Sequence, residues 1–287
     1  MKVLILGGQS QVGLALARVL DSRHLGYAVL ADLRDSLTNP ATLQQTMQQY
    51  EPTFVIPCPD EADWHWLASD VAVEAMRKLA QACTEMGIGL LHLSTEQVFD
   101  GTKTSAYTES DEPNPQSAIG QSCWRIEEVV RQHCPHHLIV RTSWVFGPDG
   151  DNWLTRLLQQ AVTESTVQVD DGERSCPTAA ADLARVLVAI LLQVDCQVEP
   201  PLWGLYHYAG SDVANRSIFV ETVVKAAKSY IDVSVERVET TAQEKGERIV
   251  NTELSSRKVL NVFGIKQHPW RRGVQDSLKQ LYETTSL

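Results

Sequence analysis

The chain has 287 residues, 43% hydrophobic and 21% charged, with a formal net charge of -11 at pH 7. That length carries one large or two small domains around a real core, and the apolar content excludes a disordered or fibrous chain. No apolar run approaches the ~18 residues of a membrane span, and the acidic balance argues against nucleic-acid binding and docking on anionic lipid.

In chain order, KVLIL (2–6) reads as a buried parallel strand ending in Gly7-Gly8. Apolar residues at helical spacing (Val12, Leu16, Val19, Leu20) follow, so strand, turn and helix are expected in succession. YAVLA (27–31) gives a second strand ending at Asp32, and Thr38-Asn39-Pro40 opens a helix to about Tyr50. TFVI (53–56) is a third strand, and Asp70 is expected to cap a helix that Gly87 stops. GLLHL (89–93) and HLIVRTSWV (137–145) are two more strands, separated by a helix at about 121–133. This alternation implies a Rossmann-like α/β fold, a doubly wound parallel sheet with helices on both faces.

After Gly147 the rhythm changes to a helix near 153–164, an extended VQVDD, an apolar helix at 179–194 and a strand GLYHY (204–208). Two or three helices and a strand at 233–238 are expected in the tail. Residues 1–147 with 176–208 are read as a nucleotide-binding core, and 148–175 with 209–287 as a smaller substrate-side lobe. The N-terminus shows no signal-peptide pattern, and the six cysteines are scattered without a C-x-x-C pair. The expected address is therefore the cytoplasm, with reduced thiols.

Gly7-Gly8-Gln9-Ser10-Gln11-Val12-Gly13 sits where a phosphate-binding turn belongs. Glycines there let the backbone approach a pyrophosphate at a positively polarised helix start. Gly7, Gln11, Val12, Gly13 and Asp32 are the candidate cofactor contacts, Asp32 being placed to grip a ribose hydroxyl. Ser10 stands where the motif wants its central glycine, and its side chain is expected in the pyrophosphate's space. A structural turn with a solvated Asp32 would leave the same pattern.

Six segments, VLILGGQSQVG, LHLSTEQVFDG, YTESDEPNP, IVRTSWVFG, PTAAADLA and GLYHYAGS, run in order along the chain. Together they resemble the dTDP-4-dehydrorhamnose reductases, of the extended short-chain dehydrogenase/reductase superfamily. The resemblance implies NADPH or NADH reducing a 4-keto sugar on dTDP. It also implies a Tyr-x-x-x-Lys pair that protonates the new alkoxide, aided by a Ser or Thr hydroxyl. The hydroxyl falls on Thr95, but the pair falls on Ile119 and Cys123, and no tyrosine in the chain is followed four residues later by lysine. Loss of a general acid costs roughly 10²–10⁴ in rate. Pro57-Cys58-Pro59 replaces an Asn-Ala-Ala segment beside the cofactor, and Glu96-Gln97 replaces Asp-Tyr. NADP or NAD is thus the implied cofactor, and these changes weigh against its binding.

On the substrate side the resemblance points to Trp144, Thr178 and Arg248, with Asn251 near Arg248. Glu173 and Ser175 replace the usual Gln and Gly. Trp144 as a core aromatic and Arg248 as a solvated charge are equally consistent. His133, His136 and His137 are interrupted by Pro135 and read as a helix-end loop rather than a metal site. Cys123 reads as an inert thiol before a nucleophile. Trp64 and Trp66 are expected in a loop over the cleft, capping the cofactor site, contacting a partner or simply packing.

Three functions follow. The first is a ligand-sensing or regulatory protein without reductase activity, partnered by a nucleotide-sugar-like molecule or another protein and compatible with a homodimer. The second is an NAD(P)H-dependent reductase using another proton donor, such as a water held by Thr95 and Ser94. The third is new chemistry at Cys123 or Glu96.

Overall fold

A computed structural model describes residues 1–60, 63–197, 199, 201–233, 235, 237–240 and 250–283. The first half runs β1 (Lys2–Leu6), α1 (Gln11–Ser22), β2 (Gly26–Leu30), α2 (Leu33–Thr38), α3 (Pro40–Tyr50), β3 (Phe54–Pro57), α4 (Trp64–Leu67), α5 (Asp70–Met86) and β4 (Gly89–Thr95). Next come a 3-10 turn (Glu96–Val98), α6 (Ala118–His133), β5 (His137–Thr142), β6 (Val145–Phe146), α7 (Trp153–Thr163), β7 (Thr166–Val169), β8 (Glu173–Ser175) and β9 (Thr178–Ala179). The chain finishes with α8 (Ala180–Cys196), β10 (Gly204–His207), β11 (Ala214–Asn215), α9 (Arg216–Ala227), β12 (Arg237–Thr240), β13 (Val250–Asn251), α10 (Arg257–Phe263) and α11 (Trp270–Glu283).

Six strands form one parallel sheet in the order β10-β5-β4-β3-β1-β2. Both faces are covered, and strand periodicity shows how. Val3, Ile5, Phe54, Ile56, Leu91, Leu93, Leu138 and Val140 point into a core shared with α1, α8 and α10. The intervening Leu4, Leu6, Val55, Leu90 and Ile139 point the other way, into a core shared with α2, α3, α5 and α6. A strand buried on both faces must be apolar at successive positions, hence its uninterrupted runs. The fold is Rossmann-like, and its strand order reverses between β1 and β3, where such sheets place ligands beyond the strands' C-terminal ends. A third core gathers Phe146, Leu154, Leu158, Phe219, Val223, Trp270 and Val274 around α7, α9 and α11. Among the described residues no helix is long and apolar enough to cross a membrane.

Several local expectations are corrected. The 137–145 strand stops at Thr142, because Trp144 takes φ +42° and turns the chain out of the sheet. Val145–Phe146 then pairs with Thr178–Ala179. Ser69, not Asp70, caps α5, its Oγ accepting from the Ala72 amide at 3.3 Å. The helix expected at 121–133 begins at Ala118, with Ser117 as its cap. Of the strand expected at 233–238, residues 234 and 236 lie outside the described residues; the described strand is Arg237–Thr240, parallel to β7. Trp64 and Trp66 stand on a short helix instead of a loop.

Candidate functional site

A cavity of about 420 Å³ opens where the starts of α1, α6, α7 and α9 meet the C-terminal ends of β4 and β5. That volume lies within the range of small-ligand sites. Thr95, Trp144, Gln11 and Val12 all line it, together with Glu96, Thr142, Trp153, Arg156 and Arg216.

Its inner end is built on Thr95, the last residue of β4. The Thr95 hydroxyl donates to Glu96 Oε2 at 2.8 Å and accepts from the Gln97 amide at 3.3 Å. Glu96 is only 4% exposed. Burial raises its pKa to about 8, with repulsion from Glu173 adding to the rise against the pull of Thr95's hydrogen bond and of Arg216. At pH 7 this carboxyl is therefore mostly neutral.

The outer wall is aromatic and cationic. Trp144 and Trp153 meet edge to face at 5.5 Å, and the Arg216 guanidinium lies 4.9 and 5.1 Å from their ring centres. Glu173 ties the group together, accepting from Arg216 Nη2 at 3.0 Å, Thr252 Oγ1 at 3.1 Å and Trp144 Nε1 at 3.4 Å. The left-handed backbone at Trp144 is strain of the kind that concentrates at binding sites. Two buried polar atoms in the lining, Gln11 Oε1 and Thr142 Oγ1, have no hydrogen-bond partner among the described residues.

Beneath the floor, Glu127 on α6 is wholly buried and accepts both Arg141 Nε at 2.8 Å and Arg141 Nη2 at 2.7 Å. Ser94 donates to the same carboxylate at 2.5 Å. The Ser94 hydroxyl, which lines the cavity, is thus directed into this ion pair.

Ile119 also lines the cavity, at the position the resemblance assigns to the proton-donating phenol. Among the described residues, no tyrosine or lysine lines the cavity. Gly120 allows this arrangement, since a Cβ there would sit 2.1 Å from the Gln97 carbonyl oxygen, so α6 begins hard against the 3-10 turn. Cys123 turns away into an apolar patch with Val98, Phe99, Tyr107 and Cys176. Burial pushes its thiol up to about 12, the opposite of an activated nucleophile.

The glycine turn is committed to its own fold. The amides of Gly7 and Gly8 donate to the Leu30 carbonyl at 2.9 and 3.0 Å, and that of Gln9 donates to Ala31 at 3.2 Å. The Ser10 Oγ accepts from the Gly13 amide at 3.0 Å and caps α1. A Cβ on Gly150 would lie 3.8 Å from both Asp60 carboxylate oxygens and from the Gln11 amide nitrogen, which sets a carboxylate near the start of α1. Asp63 accepts from the Asp60 amide, and burial raises its pKa, with Asp32 and Asp60 repelling its charge. Asp32 itself caps α2 by accepting from the Asp35 amide at 2.7 Å. The carboxylates gathered beside this turn oppose the charge of a dinucleotide's pyrophosphate.

Thr178 is fully buried away from the cavity, its Oγ1 donating to the Cys176 carbonyl and accepting from the Gly210 amide. Asn251 clamps the chain by donating to the Lys103 and Ser105 carbonyls. Arg248 lies outside the described residues. Among those residues no group of three His, Cys, Asp or Glu side chains is arranged for a metal. Sequence reasoning missed Gln11's orphan oxygen, Thr142, Trp153, Arg156 and Arg216 as site residues. Their convergence depends on long-range packing; the Asn152 cap before Trp153 and the Asn215 cap before Arg216 mark the helix starts locally.

Comparison with known proteins agrees with this fold. The family model described as RmlD substrate binding domain matches residues 1–283. The spore coat polysaccharide biosynthesis protein SpsK of Bacillus subtilis is 26% identical over 292 residues, covering 97% of each chain. The dTDP-4-dehydrorhamnose reductase of Aggregatibacter actinomycetemcomitans is 29% identical over 290 residues, covering 96% of this chain and 97% of its own. Among solved structures, the dTDP-4-dehydrorhamnose reductase of Bacillus anthracis in complex with NADP superposes with a TM-score of 0.82 at 24% identity, covering 97% of this chain and 99% of that one.

Proposed function

This chain belongs to the RmlD substrate binding domain family, and from that premise we propose that it binds a sugar nucleotide without reducing it, as a ligand-sensing or regulatory protein. The observation that carries the reading is Ile119 in the cavity wall: it has no proton to give, and among the described residues no tyrosine or lysine lines the cavity to replace it. The cavity also holds two arginines suited to a diphosphate, a tryptophan pair suited to a base or sugar ring, and two polar atoms without a partner among the described residues. The ligand class is taken from the relatives, named as dTDP-4-dehydrorhamnose reductases.

One observation favours a reductase with another proton donor: neutral Glu96 is hydrogen-bonded to Thr95. That reading needs a dinucleotide beside Asp60 and Asp63, and the Ser94 hydroxyl that would help to hold a water is already given to Glu127. Calorimetric titration with dTDP-glucose, NADPH and NADH separates the two. The proposal expects heat from dTDP-glucose and none from either dinucleotide. Tight NADPH binding would favour the reductase, and no dTDP-glucose binding would end the sugar-nucleotide reading.

A further inference from the structure

We propose that Glu96 recognises the sugar of a bound sugar nucleotide as an uncharged hydrogen-bond donor, so that the cavity accepts a neutral sugar oxygen there and rejects a carboxylate. This rests on the sugar-nucleotide reading above and adds to it the chemistry that selects the sugar. Glu96 follows directly on Thr95 and stands in the cavity wall while only 4% exposed. Its Oε2 is joined to the Thr95 hydroxyl, and a neutral carboxyl carries one proton that it can donate.

The groups facing it keep it neutral. Glu173 approaches from β8, and Arg216 from the start of α9 is already paired with Glu173 at 3.0 Å. Cys123, on α6 behind the cavity wall, adds no charge because its thiol stays un-ionised. Asp60, His65 and Arg156 are the other titratable or charged groups in the lining. Ionising Glu96 would set a second carboxylate against Glu173 with no cation of its own, a costly state in a buried site. A uronic acid or other anionic sugar placed there would meet the same repulsion, whereas a hydroxyl or keto oxygen gains a donor.

The test is calorimetric titration of the full chain with dTDP-glucose and with dTDP, from pH 6.5 to 9, for wild type and Glu96→Gln. The amide keeps a donor and cannot ionise. Wild-type affinity for dTDP-glucose should fall about tenfold between pH 7 and 9, following the protonated fraction of a carboxyl that titrates near 8. Glu96→Gln should stay level over that range, and dTDP, which lacks the sugar, should show no such fall with wild type. A level wild-type profile, an equal fall in Glu96→Gln, or an equal fall for dTDP overturns the assignment. The dTDP comparison decides the matter on wild type alone, even where the variant folds poorly. Absence of dTDP-glucose binding at every pH in both proteins instead overturns the sugar-nucleotide reading, and this inference with it.

Discussion

Replacing Glu127 by Gln should cost more stability than any other single polar substitution around the cavity. Glu127 and Arg141 have side chains 0% and 1% exposed and share two hydrogen bonds of 2.7 and 2.8 Å. The glutamine leaves the Arg141 guanidinium buried without a counter-charge, and stranding one member of a buried pair costs about 3–5 kcal/mol. Ser94 and Arg131 also bond to this carboxylate, but the amide oxygen retains one acceptor, so the lower end, about 3 kcal/mol, is expected. That is a large part of the roughly 5–15 kcal/mol that holds an ordinary domain together. Urea unfolding, followed by circular dichroism, measures it. Arg131→Gln is the control: Arg131 is 27% exposed and also pairs with Glu128, so its loss should cost under about 1 kcal/mol. Converting both partners, Glu127→Leu with Arg141→Met, should recover much of what Glu127→Leu alone loses, because no charge is then stranded. A loss below about 1 kcal/mol for Glu127→Gln would mean that Arg141 reaches water and that this ion pair does not anchor the cavity floor.

Other outcomes follow from the same structure. Gly13→Ala should cost about 1–3 kcal/mol in urea unfolding, because its Cβ would meet Gly7 O at 2.4 Å and Gly8 Cα at 2.8 Å, both backbone. Gly8→Ala meets chiefly the side chain of Val29, 43% exposed at the surface, rather than backbone, so it should cost less. Ser10→Ala removes the α1 cap and should cost about 1 kcal/mol, against a few tenths for Ser10→Gly. In native alkylation at pH 8 followed by mass spectrometry, exposed Cys196 should react and Cys123 should not; rapid Cys123 labelling would contradict its assignment as inert. Because folding raises the pKa of Glu96 to about 8, the folded state holds a proton that the unfolded chain has released between pH 4.5 and 8. Wild-type stability should therefore fall relative to Glu96→Gln by up to roughly 1.4 kcal/mol per pH unit across that window, then level off. Parallel stability curves would show that Glu96 is not neutral.

The sheet was legible because each central strand is buried on both faces and leaves an apolar run between turn residues. Apolar runs cannot report a single dihedral, so RTSWV read as strand although the chain leaves the sheet at Trp144. Ser69 and Asp70 are adjacent and equally able to cap, and only geometry shows that Ser69 does. Asp32 sits where a ribose contact was expected, but its local partner Asp35 lies three residues on, the spacing of a helix cap. Of the site, Thr95, Ile119 and Trp144 came from motif positions next to one another in sequence. Trp153, Arg156 and Arg216 could not come that way, because α7 and α9 meet the cavity only through a core formed over the whole second half of the chain.

The central claim is that this family member keeps a sugar-nucleotide cavity and has lost hydride transfer. Loss of NADPH absorbance with dTDP-4-dehydrorhamnose, at high enzyme concentration and neutral pH, tests it most directly. The account predicts no oxidation above the rate without protein. Sustained turnover that disappears in Thr95→Val would contradict it and make this chain a reductase with an unfamiliar acid.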